Sequence, residues 1–117
     1  MLHVASGTKV YLSLRPLSMR YGFDGLSARV VNVLEQDPFS GHLFLFRSKR
    51  GDYLKILHWD GSGFCLLAKR LEKGRFVWPP IVDGTLQITP GQLALLLEAI
   101  DWRRMVQPAL PPRPVAV

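Results

Sequence analysis

Short apolar runs of strand length, separated by glycine-containing turns, fill residues 42–78 and limit what this chain can build. Leu43-Phe44-Leu45-Phe46 is apolar on both parities and leads into the polar turn Arg47-Ser48-Lys49-Arg50-Gly51-Asp52. Residues 53–59 form a second apolar and aromatic run, closed by Asp60-Gly61-Ser62-Gly63. Residues 64–71 are a third run, followed by the turn Glu72-Lys73-Gly74 and a last short segment, Arg75-Phe76-Val77-Trp78. Such spacing predicts an antiparallel meander. One run is ambiguous: Phe64, Leu67, Ala68 and Leu71 also fall at helical spacing, with Gly74 as a stop signal. Strand is expected there, because residues 75–78 need a partner and Glu72-Lys73-Gly74 suits a hairpin turn.

In a meander the first and third turns lie at one end of the sheet and the second at the other. The first turn carries Arg47, Lys49 and Arg50; the third carries Lys69, Arg70, Lys73 and Arg75. Only Asp52 and Glu72 oppose these seven, nearly half of the 15 Lys and Arg in the chain. The expectation is a basic sheet edge, with no cation in the Asp60-Gly61 turn opposite.

Outside this stretch, residues 9–14 alternate Val10, Leu12 and Leu14 and read as a strand stopped by Arg15-Pro16. Over residues 21–36 the period becomes helical, with Phe23, Leu26, Val30, Val33 and Leu34 on one stripe, ended by Asp37-Pro38. Residues 85–88 form a short strand. Thr89-Pro90-Gly91-Gln92 then supplies an N-cap, a first-turn proline and capping-box spacing for a helix of apolar residues running to about Ile100. Arg103 and Arg104 suit the negative end of that helix. The whole predicts one α+β domain over residues 1–104: an antiparallel sheet of five to six strands with two helices packed on one face. Residues 105–117, with Pro108, Pro111, Pro112 and Pro114, read as a flexible tail.

A length of 117 residues, 48% of them hydrophobic, supports one core without staples. The single cysteine, Cys65, rules out an internal disulfide and agrees with a reducing cytosol. The first residues lack a signal-peptide core and no run reaches the length of a membrane span, so a cytoplasmic location is expected. A net charge of +6 favours an anionic partner, of which nucleic acid is the commonest. Catalytic and metal chemistry finds no footing. His3, His42, His58 and Cys65 do not stand at ligand spacing, and Asp24, Asp52, Asp60 and Asp83 are spread over separate segments. Cys65 reads as a small apolar filler and His58 as a hydrogen-bonded sheet histidine. No cofactor is assigned. What the residues favour is a basic edge with Tyr53, Trp59, Phe76 and Trp78 nearby, able to meet phosphates and stack bases.

Several longer motifs add to this. They are Met19-Arg20-x-Gly22-Phe23-Asp24-Gly25-Leu26 and Asp37-Pro38-Phe39-Ser40-Gly41-His42-Leu43-Phe44-x-Phe46; Trp59-Asp60-Gly61-x-Gly63-Phe64-Cys65-Leu66 and Lys69-Arg70-Leu71-Glu72-Lys73-Gly74-Arg75-Phe76-x-Trp78-Pro79; and Leu95-Leu96-Leu97-Glu98-x-Ile100-Asp101-Trp102. Over residues 5–104 they closely resemble the small accessory protein encoded by the second open reading frame of the bacterial insertion sequence sixty-six family. The resemblance implies a role in transposition beside a separate, larger transposase that carries the catalytic residues. It implies none in this chain. The partners expected are therefore DNA, the element's transposase, or both, with a pure protein-interaction subunit as the alternative.

Overall fold

The computed structural model describes residues 5–80 and 84–103. The proline-rich segment at 105–117, Arg104 and Asp83 lie outside them. The elements run β1 (Val10–Ser13), α1 (Phe23–Asn32), β2 (Leu43–Arg47), β3 (Tyr53–Trp59), β4 (Phe64–Arg70), β5 (Thr85–Ile88) and α2 (Pro90–Leu97). One five-stranded sheet orders them β4-β3-β2-β1-β5. β2, β3 and β4 form the expected antiparallel meander, with Leu43 opposite His58 and Tyr53 opposite Arg70. The ambiguous run at residues 64–70 is a strand.

The sheet is mixed, not antiparallel throughout. β1 lies parallel to β2, Val10 opposite Leu43 and Leu12 opposite Leu45, and antiparallel to β5. Parallel neighbours need a crossover, and α1 with its flanking loops is that connection. The crossover also changes the layering, because the two helices cover opposite faces of the sheet instead of sharing one. On one face Leu43, Leu45, Leu54, Ile56, Val10 and Leu12 meet Leu93 and Leu96 of α2, with Phe76 and Trp102. On the other Phe44, Phe46 and Leu57 meet Leu26, Val30 and Leu34 of the α1 segment. β2 is consequently buried along its whole length. Its apolar residues on both parities are what a strand covered on both faces requires.

Both helices are shorter than the periodicity suggested. α1 ends at Asn32: Glu35 takes a left-handed conformation (φ 55°), and the Gln36 N–H donates to the Val30 carbonyl at 2.9 Å. This closes the last turn before Asp37-Pro38. Phe23 and Val33, placed on the core stripe by spacing, are about half exposed, and Leu34 takes the core position. α2 begins as its sequence indicated. The Thr89 hydroxyl accepts from the Gln92 N–H (3.0 Å), and the Gln92 side chain accepts from the Thr89 N–H (2.8 Å).

Residues 75–78 are not a strand. They cross back over the β2–β3 turn: the Phe76 N–H donates to the Gly51 carbonyl (2.9 Å), and so does the Trp78 indole N–H (2.9 Å). Trp102 fastens the same segment from the far side, donating to the Val77 carbonyl at 2.7 Å.

Candidate nucleic-acid interface

β2 and β4 both run antiparallel to β3, so Arg47 and Arg70, at their ends, arrive at the same end of the sheet. Hydrogen bonds knit that end together. The Ser48 hydroxyl accepts from the N–H groups of Gly51 (3.1 Å) and Tyr53 (3.2 Å), which fixes the β2–β3 turn. The Leu71 N–H donates to the Asp52 carbonyl at 2.8 Å, and Phe76 and Trp78 bond Gly51 as described. The two charged tips are therefore one structural unit.

Gly51 is the contact point between them. Its φ is +83°, and a Cβ there would stand 3.2 Å from the Trp78 ring and 3.3 Å from Arg75 Cδ. A left-handed non-glycine residue costs about 1–2 kcal/mol, and overpacking typically adds about 1–3 kcal/mol. Gly51→Ala is expected to lower unfolding free energy by roughly 2–5 kcal/mol in urea titration. Gly61→Ala, at φ +104° with nothing within 4 Å, should cost only the backbone part. Equal losses at the two positions would mean that the tips are not fused at Gly51.

The seven cations divide into two sets. Lys49, Arg50, Arg70, Lys73 and Arg75 are exposed. Arg50 and Arg75 line one cavity of about 420 Å³ with Gly74 and Asp52, while Lys49, Arg50 and Arg70 line a second. Among the described residues none of the seven is in an ion pair with Asp52 or Glu72. The other two face inward. Arg47 is buried, its guanidinium 4.8 Å from the centre of the Trp78 ring and its Nε–H donating to the Ser48 carbonyl at 3.3 Å. Burial first, and then the nearby Arg75 charge, lower its pKa from the ordinary arginine value. Lys69 donates from Nζ to the Leu97 carbonyl (2.6 Å), a cation on the C-terminal end of α2. That place was expected for Arg103 and Arg104; Arg103 instead forms a two-pronged pair with Asp101 at 3.0 Å.

Sequence reasoning missed Arg15. Because β1 is parallel to β2, Arg15, two residues past its end, lies at the basic end and lines the second cavity. A parallel pairing was the signal needed, and the strand–helix–strand order carried it. Of the aromatics, Tyr53 sits at this end with the Arg70 guanidinium 5.8 Å from its ring centre. Phe76 is core, and Trp78 lies beneath Arg47.

Trp59 is at the opposite end, where it packs with Phe39 and Phe64 at centroid separations of 5.0–5.1 Å. Phe39 is 55% exposed. The turn beside it is organised by Asp60, whose carboxylate accepts from the N–H groups of Ser62 (2.9 Å) and Gly63 (3.0 Å). Those two bonds, then the Cys65 thiol and the Ser62 hydroxyl, hold the Asp60 pKa down at about 2. A depressed carboxylate stabilises above its unfolded value of about 3.9 and loses that contribution as pH falls through its folded value. Carboxyl NMR should therefore place the Asp60 midpoint near 2, with Ser62 and Gly63 amide protection lost between about pH 4 and that point. A midpoint near the ordinary value would refute the turn geometry. Cys65, expected as a filler, is exposed, and its thiol is pushed up by desolvation and then by Asp60, away from a reactive thiolate. The buried His58 Nδ1 has no hydrogen-bond partner, contrary to the expectation for a sheet histidine. No three His, Cys, Asp or Glu side chains come together for a metal among the described residues. Nor is any helix among them long and apolar enough to cross a membrane.

Comparison with known proteins assigns this architecture to a lineage. Residues 8–107 match the family model described as IS66 Orf2 like protein. Two proteins of Sinorhizobium fredii (strain NBRC 101917 / NGR234) are similar over nearly their whole length. Uncharacterized protein y4hO is 45% identical over 103 residues, covering 88% of this chain and 90% of that protein. Uncharacterized protein y4jC is 40% identical over 105 residues, covering 90% of each. No solved structure matches. The match along residues 8–107 takes in every element from β1 to α2, and the chain belongs to the IS66 Orf2-like family of insertion-sequence proteins.

Proposed function

We propose that the protein assists transposition of its element without catalysing it, by binding DNA through the exposed basic end formed by Lys49, Arg50, Arg70, Lys73 and Arg75. The observation that carries this reading is the fusion of two cationic tips into one surface whose charges, among the described residues, are not spent on ion pairs. Phosphate contacts made by such a surface release counterions, so binding must weaken with salt. A filter-binding titration over a salt series, with element-end and random duplexes, tests it. A slope near zero would remove DNA from the account, and a difference between the duplexes would reveal sequence preference.

The aromatic cluster of exposed Phe39 with half-buried Trp59 and Phe64 favours a second reading, a subunit that docks on the transposase. Co-purification with the transposase that survives high salt and charge reversal at Lys73 and Arg75 would support docking without DNA contact.

A further inference from the structure

On the α1 side of the basic end, the loop after β1, the β2–β3 turn and the end of β4 border an open recess of about 800 Å³. That volume lies within the range of about 300–1,000 Å³ typical of small-ligand sites. The lining is divided by chemistry. Leu17 and Met19, which pack on the α1-face core, are apolar, and Tyr53 adds an aromatic ring. Lys49, Arg50 and Arg70 are cationic. A surface that only tracks duplex phosphates has no use for an apolar, aromatic recess behind its cations. A single nucleotide has this same division, a flat base attached to an anionic phosphate.

We infer that the cavity receives one unpaired base of single-stranded DNA, stacked on Tyr53, with Lys49, Arg50 and Arg70 on the flanking phosphates. The inference rests on the DNA-binding reading and goes beyond it by naming the strand state recognised. A base held in a duplex cannot enter a recess without leaving its stack and its partner, whereas an unpaired base enters freely. Arg70 already lies 5.8 Å from the Tyr53 ring centre, so a planar cation accompanies the aromatic face. Asp52, the one carboxylate of the lining, is held at 3.5 Å by the Ser48 hydroxyl and offers an acceptor to an exocyclic amine.

The test is fluorescence anisotropy with the full chain at fixed salt. Its probes are a labelled single strand, its duplex and a ribo-oligonucleotide of the same sequence; its proteins are wild type, Tyr53→Leu and Tyr53→Phe. Loss of one stacking ring costs about 5- to 150-fold in affinity. The expected result is tighter binding of the single strand than of the duplex. Tyr53→Leu should lose a factor in that range on the single strand and almost none on the duplex, with Tyr53→Phe retaining wild-type behaviour. Equal affinity for both forms, or an equal loss on both in Tyr53→Leu, overturns the inference and leaves duplex binding standing. No binding to any probe overturns both readings. Tighter binding of the ribo-oligonucleotide overturns the assignment to DNA.

Discussion

Replacing Lys49, Arg50, Lys73 and Arg75 together by glutamine is expected to abolish most of the salt dependence of DNA binding. With the five exposed cations on phosphates, the slope of log affinity against log salt on duplex DNA is about −4.5. Between 50 and 200 mM salt that slope is a loss of roughly 500-fold. The fourfold variant keeps Arg70 alone of the set, for a slope near −0.9 and a loss of roughly 3- to 4-fold over the same interval. All four side chains are exposed, so each change should alter stability by no more than about 0.5 kcal/mol. Arg47→Gln makes the opposite comparison. The Arg47 side chain is buried against Trp78, so its loss should lower the melting temperature and leave the salt slope unchanged. If the fourfold variant kept the wild-type slope, the basic end would not be where phosphate is met.

The second large effect concerns β2. Phe44→Ala and Leu45→Ala should each destabilise strongly, by about 3–5 and 2–5 kcal/mol respectively in urea titration. The two residues are adjacent and so point to opposite faces, yet both are completely buried. Phe44 stacks on Tyr11 at 5.6 Å on the α1 side, and Leu45 belongs to the α2-side core. In a sheet with one wet face, one of the two would lie in water, where substitutions usually stay within about 0.5 kcal/mol. A near-neutral result at either position would contradict the layering described here.

That pair also marks how far the sequence could be read. The meander was legible because glycine turns and strand-length runs are local signals, and the capping box at Thr89 was legible for the same reason. The layering was misread, with both helices expected on one face, although residues 43–46 carried the sign of two covered faces in being apolar on both parities. Strand, helix and strand in succession across residues 9–47 spelled a crossover, but pairing between distant strands depends on tertiary contacts that local pattern does not fix. The charged site shows the same boundary. Topology placed the cations at one end, as their positions in the two turns implied. Which of them reach water depended on side-chain partners far away in sequence: Trp78 for Arg47 and the Leu97 carbonyl for Lys69. Charge counting cannot distinguish a cation that caps a helix from one that awaits an anion.

β1 sits between β2 and β5, pairing with residues 33 and 72–78 positions further along the chain. During synthesis the first strand therefore emerges long before its second neighbour exists, and one of its edges stays open until residues 85–88 have left the ribosome. At about 5–20 residues per second that interval is several seconds. Closure of the sheet thus waits for the last of its five strands, and a product truncated before β5 would leave one edge of β1 unpaired and prone to aggregation.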